Sequence, residues 1–221
     1  MSQSQRLSQV SLSENAVNEC VRFILCREGS KIPITRADIG KHLINACEVS
    51  RNEISAIISA AETVLRNVYG YSLIKEDIKG VHYILTLRKP CPSLQSALIE
   101  THEQRLLNVA LTHIFMSGGA VKEEDMWTFL TEAKLLDEND TSVRKLFTKK
   151  FSSQLYINCV KISETRIQFE WGPRANREVS KMFILKKYAE GLGKPPEYWS
   201  EQHKIATNEE QTQHTASANN T

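Results

Sequence analysis

The 221-residue sequence predicts a mostly helical α+β protein, built twice on one plan and finished by an extra C-terminal helix. Three observations carry that prediction. Residues 13–89 show three stretches of helical periodicity followed by two β-type runs, and residues 97–200 repeat the order with different residues. Residues 90–96, opened by Pro90 and Pro92, separate the two blocks as a linker. A hydrophobic content of 41% is enough for two cores, each in a domain of roughly 80 to 100 residues. Helix, helix, helix, hairpin is the order of a winged helix, so the expected architecture is two winged-helix domains in tandem.

Residues 1–12 are Ser/Gln-rich and are expected to be disordered. From Glu14, the residues Val17, Cys20, Val21, Ile24 and Leu25 recur at the spacing of one helix face, and Gly29 stops the run. Pro33 bars helix through the next connection. Thr35, with Asp38 three residues on, reads as the cap of a second helix. Ser50 is the expected cap of a third, whose stripe is Ile54, Ile57, Ile58, Ala61, Leu65 and Val68, ended by Gly70. Two β-type runs follow, Tyr71 to Ile74 and Val81 to Leu87, joined by a polar turn from Lys75 to Gly80.

In the second block, Leu98 to Met116 is one helix and Glu123 to Leu135 the next. Asp140 or Thr141 caps a third, with Val143, Leu146 and Phe147 as its apolar side. The strands are Leu155 to Ile162 and Arg166 to Trp171. In Phe169-Glu170-Trp171-Gly172-Pro173-Arg174 the last strand runs into a corner. Gly172 is expected to supply unusual backbone angles there, and Pro173 to open the extra helix, which runs to about Glu190. That helix is read as basic, with Arg174, Arg177 and Lys181 on one face. Residues 201–221 are read as a disordered polar tail.

No apolar run approaches the roughly 18 residues that cross a bilayer, so no membrane partner is expected. The polar start, Ser2-Gln3-Ser4-Gln5, lacks a signal-peptide core. The five cysteines, Cys20, Cys26, Cys47, Cys91 and Cys159, are scattered and odd in number, which fits a reducing intracellular compartment better than a disulfide framework. No cofactor or metal is expected: the histidines show no ligand spacing, and Gly191-Leu192-Gly193-Lys194 lacks the spacing of a phosphate loop. No nucleophile elbow occurs, so the chain does not read as an enzyme.

The net charge of +2 conceals segregation: residues 1–90 carry +3, residues 91–140 carry −6, residues 141–194 carry +8 and the remainder −3. A basic block of that density suits a polyanion; a merely solvated face is the plainer reading. In winged helices the third helix commonly enters the major groove and the wing touches the backbone. The third helix of the first block is apolar, with Glu53 and Glu62 offsetting Arg51 and Arg66. Its counterpart carries Arg144, Lys145, Lys149 and Lys150, and the strands add Lys161 and Arg166. Lysines suit phosphate contact better than base reading, so these six residues are the candidate site for sequence-tolerant DNA binding.

Several segments together resemble the MAGE (melanoma antigen) homology domain, a tandem pair of winged helices. They are Val21 to Leu25, Lys31-Ile32-Pro33-Ile34-Thr35-Arg36-Ala37-Asp38-Ile39, Tyr69-Gly70-Tyr71, Tyr83-Ile84-Leu85, Ile114 to Gly118, Phe169 to Arg174 and Ser180-Lys181-Met182. Within the family, the Lys-Ile-Pro-Ile and Gln-Phe-Glu-Trp-Gly-Pro-Arg wording is most like the member that serves the SMC five/six genome-maintenance complex.

The resemblance implies a nuclear, non-catalytic subunit, with the cytoplasm as a second location. Its partners would be a RING-type ubiquitin ligase of the first non-SMC element type, a kleisin of the fourth non-SMC element type, SMC subunits indirectly, and DNA. The family docks its ligase through adjacent leucines in the first helix. The matching positions are Ile24 and Leu25, with Val21 one turn earlier on the stripe. Ile24 departs from the family's leucine, and all three residues also read as core. A free-standing regulator of a RING ligase and a winged-helix transcription regulator are the alternative functions.

Overall fold

The computed structural model describes residues 3–77, 80–88, 101–136, 141–164 and 166–218. The expected linker 90–96, the start of the helix expected from Leu98, and the Asp140 cap lie outside the described residues. The chain divides into two compact units, Met1–Ser96 and Ala97–Thr221. Each is a winged helix.

In the first unit, helix α1 is Gln3–Glu28. The disorder expected over residues 1–12 is thus corrected from Gln3 onward: no Gly or Pro occurs before Gly29, so the helix nucleated on the apolar face propagates outward. Ala16, Cys20, Val21 and Ile24 form its buried face. A two-residue strand β1, Ile34–Thr35, leads into α2, Arg36–Cys47. Thr35 is the cap, its Oγ1 accepting from the Asp38 N–H at 3.0 Å. Helix α3 is Ile54–Asn67, and the expected Ser50 cap does not form. Instead the Glu53 carboxylate accepts from the Ser50 N–H and hydroxyl at 2.8 and 2.7 Å. Ile54, Ile57, Ile58, Ala61 and Leu65 are buried as expected, whereas Val68 lies past the helix end and is exposed.

Strands β2, Tyr71–Asp77, and β3, Val81–Leu87, pair antiparallel from Tyr71↔Leu87 to Asp77↔Val81. The ladder thus continues beyond Ile74 through Lys75, Glu76 and Asp77, polar residues that the turn reading claimed. β1 pairs with β3 through Ile34↔Tyr83 and Thr35↔His82, so the sheet order is β1-β3-β2.

The second unit repeats the arrangement with helix α4, His102–Met116, strand β4, Ala120–Lys122, and helix α5, Glu123–Glu132. A capping box between Thr101 and Gln104 opens α4. Helix α6, Thr141–Lys145, is one short turn that continues as a π-helical turn over Leu146–Phe151. Strands β5, Ile157–Lys161, and β6, Ile167–Trp171, pair antiparallel; β4 pairs on the far side of β6, giving the order β4-β6-β5. Phe147, Phe151, Phe169 and Trp127 meet with centroids 5.2 to 5.6 Å apart, edge-on or tilted. Each such pair adds about 1 kcal/mol beyond its area.

Beyond β6 the expected single helix is broken into α7, Ala175–Glu178, and α8, Lys181–Gly191. Ser180 separates them because its hydroxyl caps α8, accepting from the Phe183 N–H at 3.1 Å. A 3₁₀ turn, Pro196–Tyr198, precedes α9, Ser200–Ala218. The disordered tail expected over residues 201–221 is therefore corrected for residues up to Ala218. α9 buries Ala206, donates from Gln202 Nε2 to the Met116 carbonyl at 3.2 Å, and pairs Glu209 with Lys181 at 3.4 Å. No helix among the described residues is long and apolar enough to cross a membrane.

Candidate functional site

The corner after β6 fixes the second unit. Trp171 Nε1 donates to the Leu111 carbonyl at 2.8 Å, pinning the strand end to α4. A Cβ on Gly172 would stand 2.2 Å from the Leu155 carbonyl oxygen. Glycine is required there by close approach, and the unusual backbone angles expected of it are not what the position demands: Gly172 is not among the glycines with positive φ. Arg174 is buried, its Nε donating to the Gln154 carbonyl and its Nη1 to Glu178 Oε1, both at 2.9 Å. Lys181 donates to Asn176 Oδ1 at 3.0 Å. Arg174 and Lys181 are thus internal fastenings, and the basic face read from Arg174, Arg177 and Lys181 does not form. Pro173 precedes α7 without opening it.

The six candidate DNA-binding residues divide into two groups. Arg144 on α6 lies over the Trp127 ring at 5.1 Å. Together with Arg166 it lines a cavity of about 400 Å³ that also admits Lys122, Glu123 and Glu124. Lys161 and Arg166 flank the wing turn, which the Ile162 N–H closes by donating to the Arg166 carbonyl at 2.9 Å. Ile162 at the wing tip is exposed. The second group lies on and beside the π-helical turn. There Lys150 is ion-paired with Glu103 of α4, whereas Lys145 and Lys149 are exposed and form no ion pair among the described residues. Phe147 and Phe151 face the core, so the basic side chains keep to the solvent side. Lys122 was not legible beforehand, because a three-residue strand has no periodicity to read.

In the first unit, Val21 and Ile24 belong to the core; Ile24 is 0% exposed. Leu25 is half-buried at the edge of the same cluster. Nearby, Phe23 stacks on His42 at 4.2 Å and carries the Arg27 guanidinium 4.3 Å above its ring. The Glu19 carboxylate, bonded by Arg22 and His42, is held down to a pKa of about 2. In the second unit, burial pushes the His113 imidazole below its usual range, where it stacks on Phe129 at 3.9 Å. No group of three or more metal-ligating side chains occurs among the described residues.

The MAGE homology domain model matches residues 20–81 and 83–182. The chain belongs to the MAGE homology domain family. The human non-structural maintenance of chromosomes element 3 homolog is 34% identical over 203 residues, covering 86% of this chain and 65% of the relative, so the chain spans about two thirds of that protein's length. The mouse homolog is 31% identical over 209 residues, covering 90% of this chain and 74% of the relative. Among solved structures, a chain of the Nse1-Nse3-Nse4 complex superposes with a TM-score of 0.74 at 30% identity, covering 94% of this chain and all of that one. The MAGE match ends at Met182, so α9 and most of α8 lie beyond it.

Proposed function

We propose that this MAGE protein is a subunit of an SMC five/six genome-maintenance complex in the nucleus. It bridges a RING-type ubiquitin ligase and a kleisin and holds DNA without strong sequence preference. The observation that carries the reading is the match to the chain from the Nse1-Nse3-Nse4 complex, because it covers all of that chain and nearly all of this one. The relatives named for maintenance of chromosomes support it from sequence.

The burial pattern narrows the ligase contact. Ile24 and Val21 are spent on the core, so among the three candidates Leu25 is the side chain that a partner can reach. DNA is held by Lys145 and Lys149 on the solvent side of the third helix and by Lys161 and Arg166 on the wing. Arg144 and Lys150 position the surface through Trp127 and Glu103. Exposed lysines without carboxylate partners suit phosphate oxygens, and their contacts make binding fall with salt.

Reconstitution with the RING and kleisin subunits tests the reading. Leu25→Glu is expected to release the ligase at least tenfold while leaving the kleisin bound. Release of neither protein would remove Leu25 from the contact. If neither protein joins the unmodified chain, the complex assignment fails.

A further inference from the structure

We propose that a cavity in the first unit is a docking pocket for an acidic peptide segment of a partner protein, which inserts an apolar side chain. The cavity has a volume of about 940 Å³ and opens between α2, the start of α3 and the base of β3. Its apolar lining comes from Gly40, Ile44, Ile54 and Val81. Its charged lining comes from three separate places: Arg36 at the start of α2, Lys41 one turn on, and Arg51 before α3.

None of the residues lining it is Asp or Glu. Of the nearby carboxylates, Glu53 is engaged by Ser50 and Asp38 by the Thr35 hydroxyl at 2.7 Å. Arg36, Lys41 and Arg51 form no ion pair among the described residues. Arg36 is held by its bond from Nη2 to the Ser55 hydroxyl, 2.7 Å long. Gly40 lets α2 approach α3, since a Cβ there would already touch Ile54 Cδ1 at 3.0 Å.

An apolar lining whose charged members are all cations asks for two things of an occupant: something to bury and carboxylates to place around it. Nucleic acid answers the cations and leaves the apolar lining uncovered. An acidic peptide with one large aliphatic or aromatic anchor answers both, and pockets of this size are the usual ones for such anchors. The cavity of the second unit, where Glu123 and Glu124 sit among the cations, lacks this one-sided charge. The proposal uses neither Leu25 nor the lysines of the second unit, and it stands apart from the assignment to a complex.

The test is panning of a random 12-residue phage library on the full chain, with the enriched sequences remade as free peptides for titration. Two variants serve as controls: Arg51→Glu reverses a rim charge, and Ala37→Trp fills the pocket from an exposed position. Enriched peptides are expected to place Asp or Glu around one Leu, Phe or Trp, and to lose at least tenfold in affinity against either variant. The proposal is overturned if no peptide is enriched, if enriched peptides are neutral or basic, or if both variants bind them as the parent does. Displacement of a bound peptide by a short DNA duplex, lost in Arg51→Glu, would give the rim to nucleic acid and also overturn it.

Discussion

In the first unit the third helix runs for 14 residues, Ile54–Asn67, with an aliphatic stripe below and a nearly neutral outer side. Its counterpart in the second unit is helical for only five residues, Thr141–Lys145, before the π-helical turn. There the core contribution is aromatic, Phe147 and Phe151 against Trp127 and Phe169. The π-helical turn buries two rings, Phe147 and Phe151, where α3 buries Ile54, Ile57, Ile58, Ala61 and Leu65. The short segment can therefore give its solvent side to Arg144, Lys145, Lys149 and Lys150 and still be held. The cavities differ in the opposite sense. The charged lining of the first unit's cavity is cationic, whereas that of the second mixes cations with Glu123 and Glu124. One plan thus carries two differently charged surfaces, a basic helix with its wing and a basic-rimmed apolar pocket.

The comparison breaks first at the cores. Phe147→Ala is expected to cost about 4 kcal/mol by chemical denaturation, against about 3 kcal/mol for Ile58→Ala in α3. A smaller loss for Phe147 than for Ile58 would mean that the aromatic cluster does not anchor the short helix. Next come the two tight glycines. Gly172→Ala drives a Cβ against backbone and is expected to cost about 3 kcal/mol, whereas Gly40→Ala meets only the movable end of Ile54 and is expected to cost under about 1 kcal/mol. Thermal melts of the two variants decide it, and equal losses would sink the distinction.

The charged surfaces come third. Lys145→Glu with Lys149→Glu is expected to weaken binding of a 20-base-pair duplex by about tenfold or more and to lower the salt slope by roughly two. The matching change in the first unit, Arg51→Glu with Arg66→Glu, should leave both quantities alone. Loss with the second pair and not the first would reverse the roles of the units.

The smallest effect concerns pH. The folded-state pKa of His113 is depressed by burial, with Asp125 opposing weakly, so its contribution to stability is present above the ordinary value of 6.5. That contribution declines as pH falls below 6.5 toward the depressed value, because the unfolded chain takes up the proton first. Denaturation at pH 7 and pH 5.5 should show the decline in the parent and not in His113→Gln. An unchanged decline in the variant would assign it to other groups.

The plan of three helices and a hairpin was legible in each unit because long amphipathic runs leave a period to read, as from Ile54 to Leu65. The two-residue β1 and three-residue β4 left none, and both are fixed by pairing to strands distant in the chain. α9 was missed for a related reason: a polar sequence hides a helix whose support comes from single contacts such as Gln202 to Met116. Of the candidate residues, position on a helix face was legible and exposure was not. Ile24 and Leu25 are adjacent in sequence, yet only one is fully sealed in the core. Arg174 and Lys181 read as surface cations because the partners that bury them, the Gln154 carbonyl, Glu178 and Glu209, come from other turns of the fold.

The central claim is membership of a chromosome-maintenance complex, and affinity purification of the tagged full chain from nuclease-treated nuclear extract tests it most directly. Recovery of a RING protein, a kleisin and SMC subunits in near-equal amounts is the predicted result. A RING ligase recovered without kleisin or SMC subunits would contradict it and leave a free-standing ligase regulator in its place.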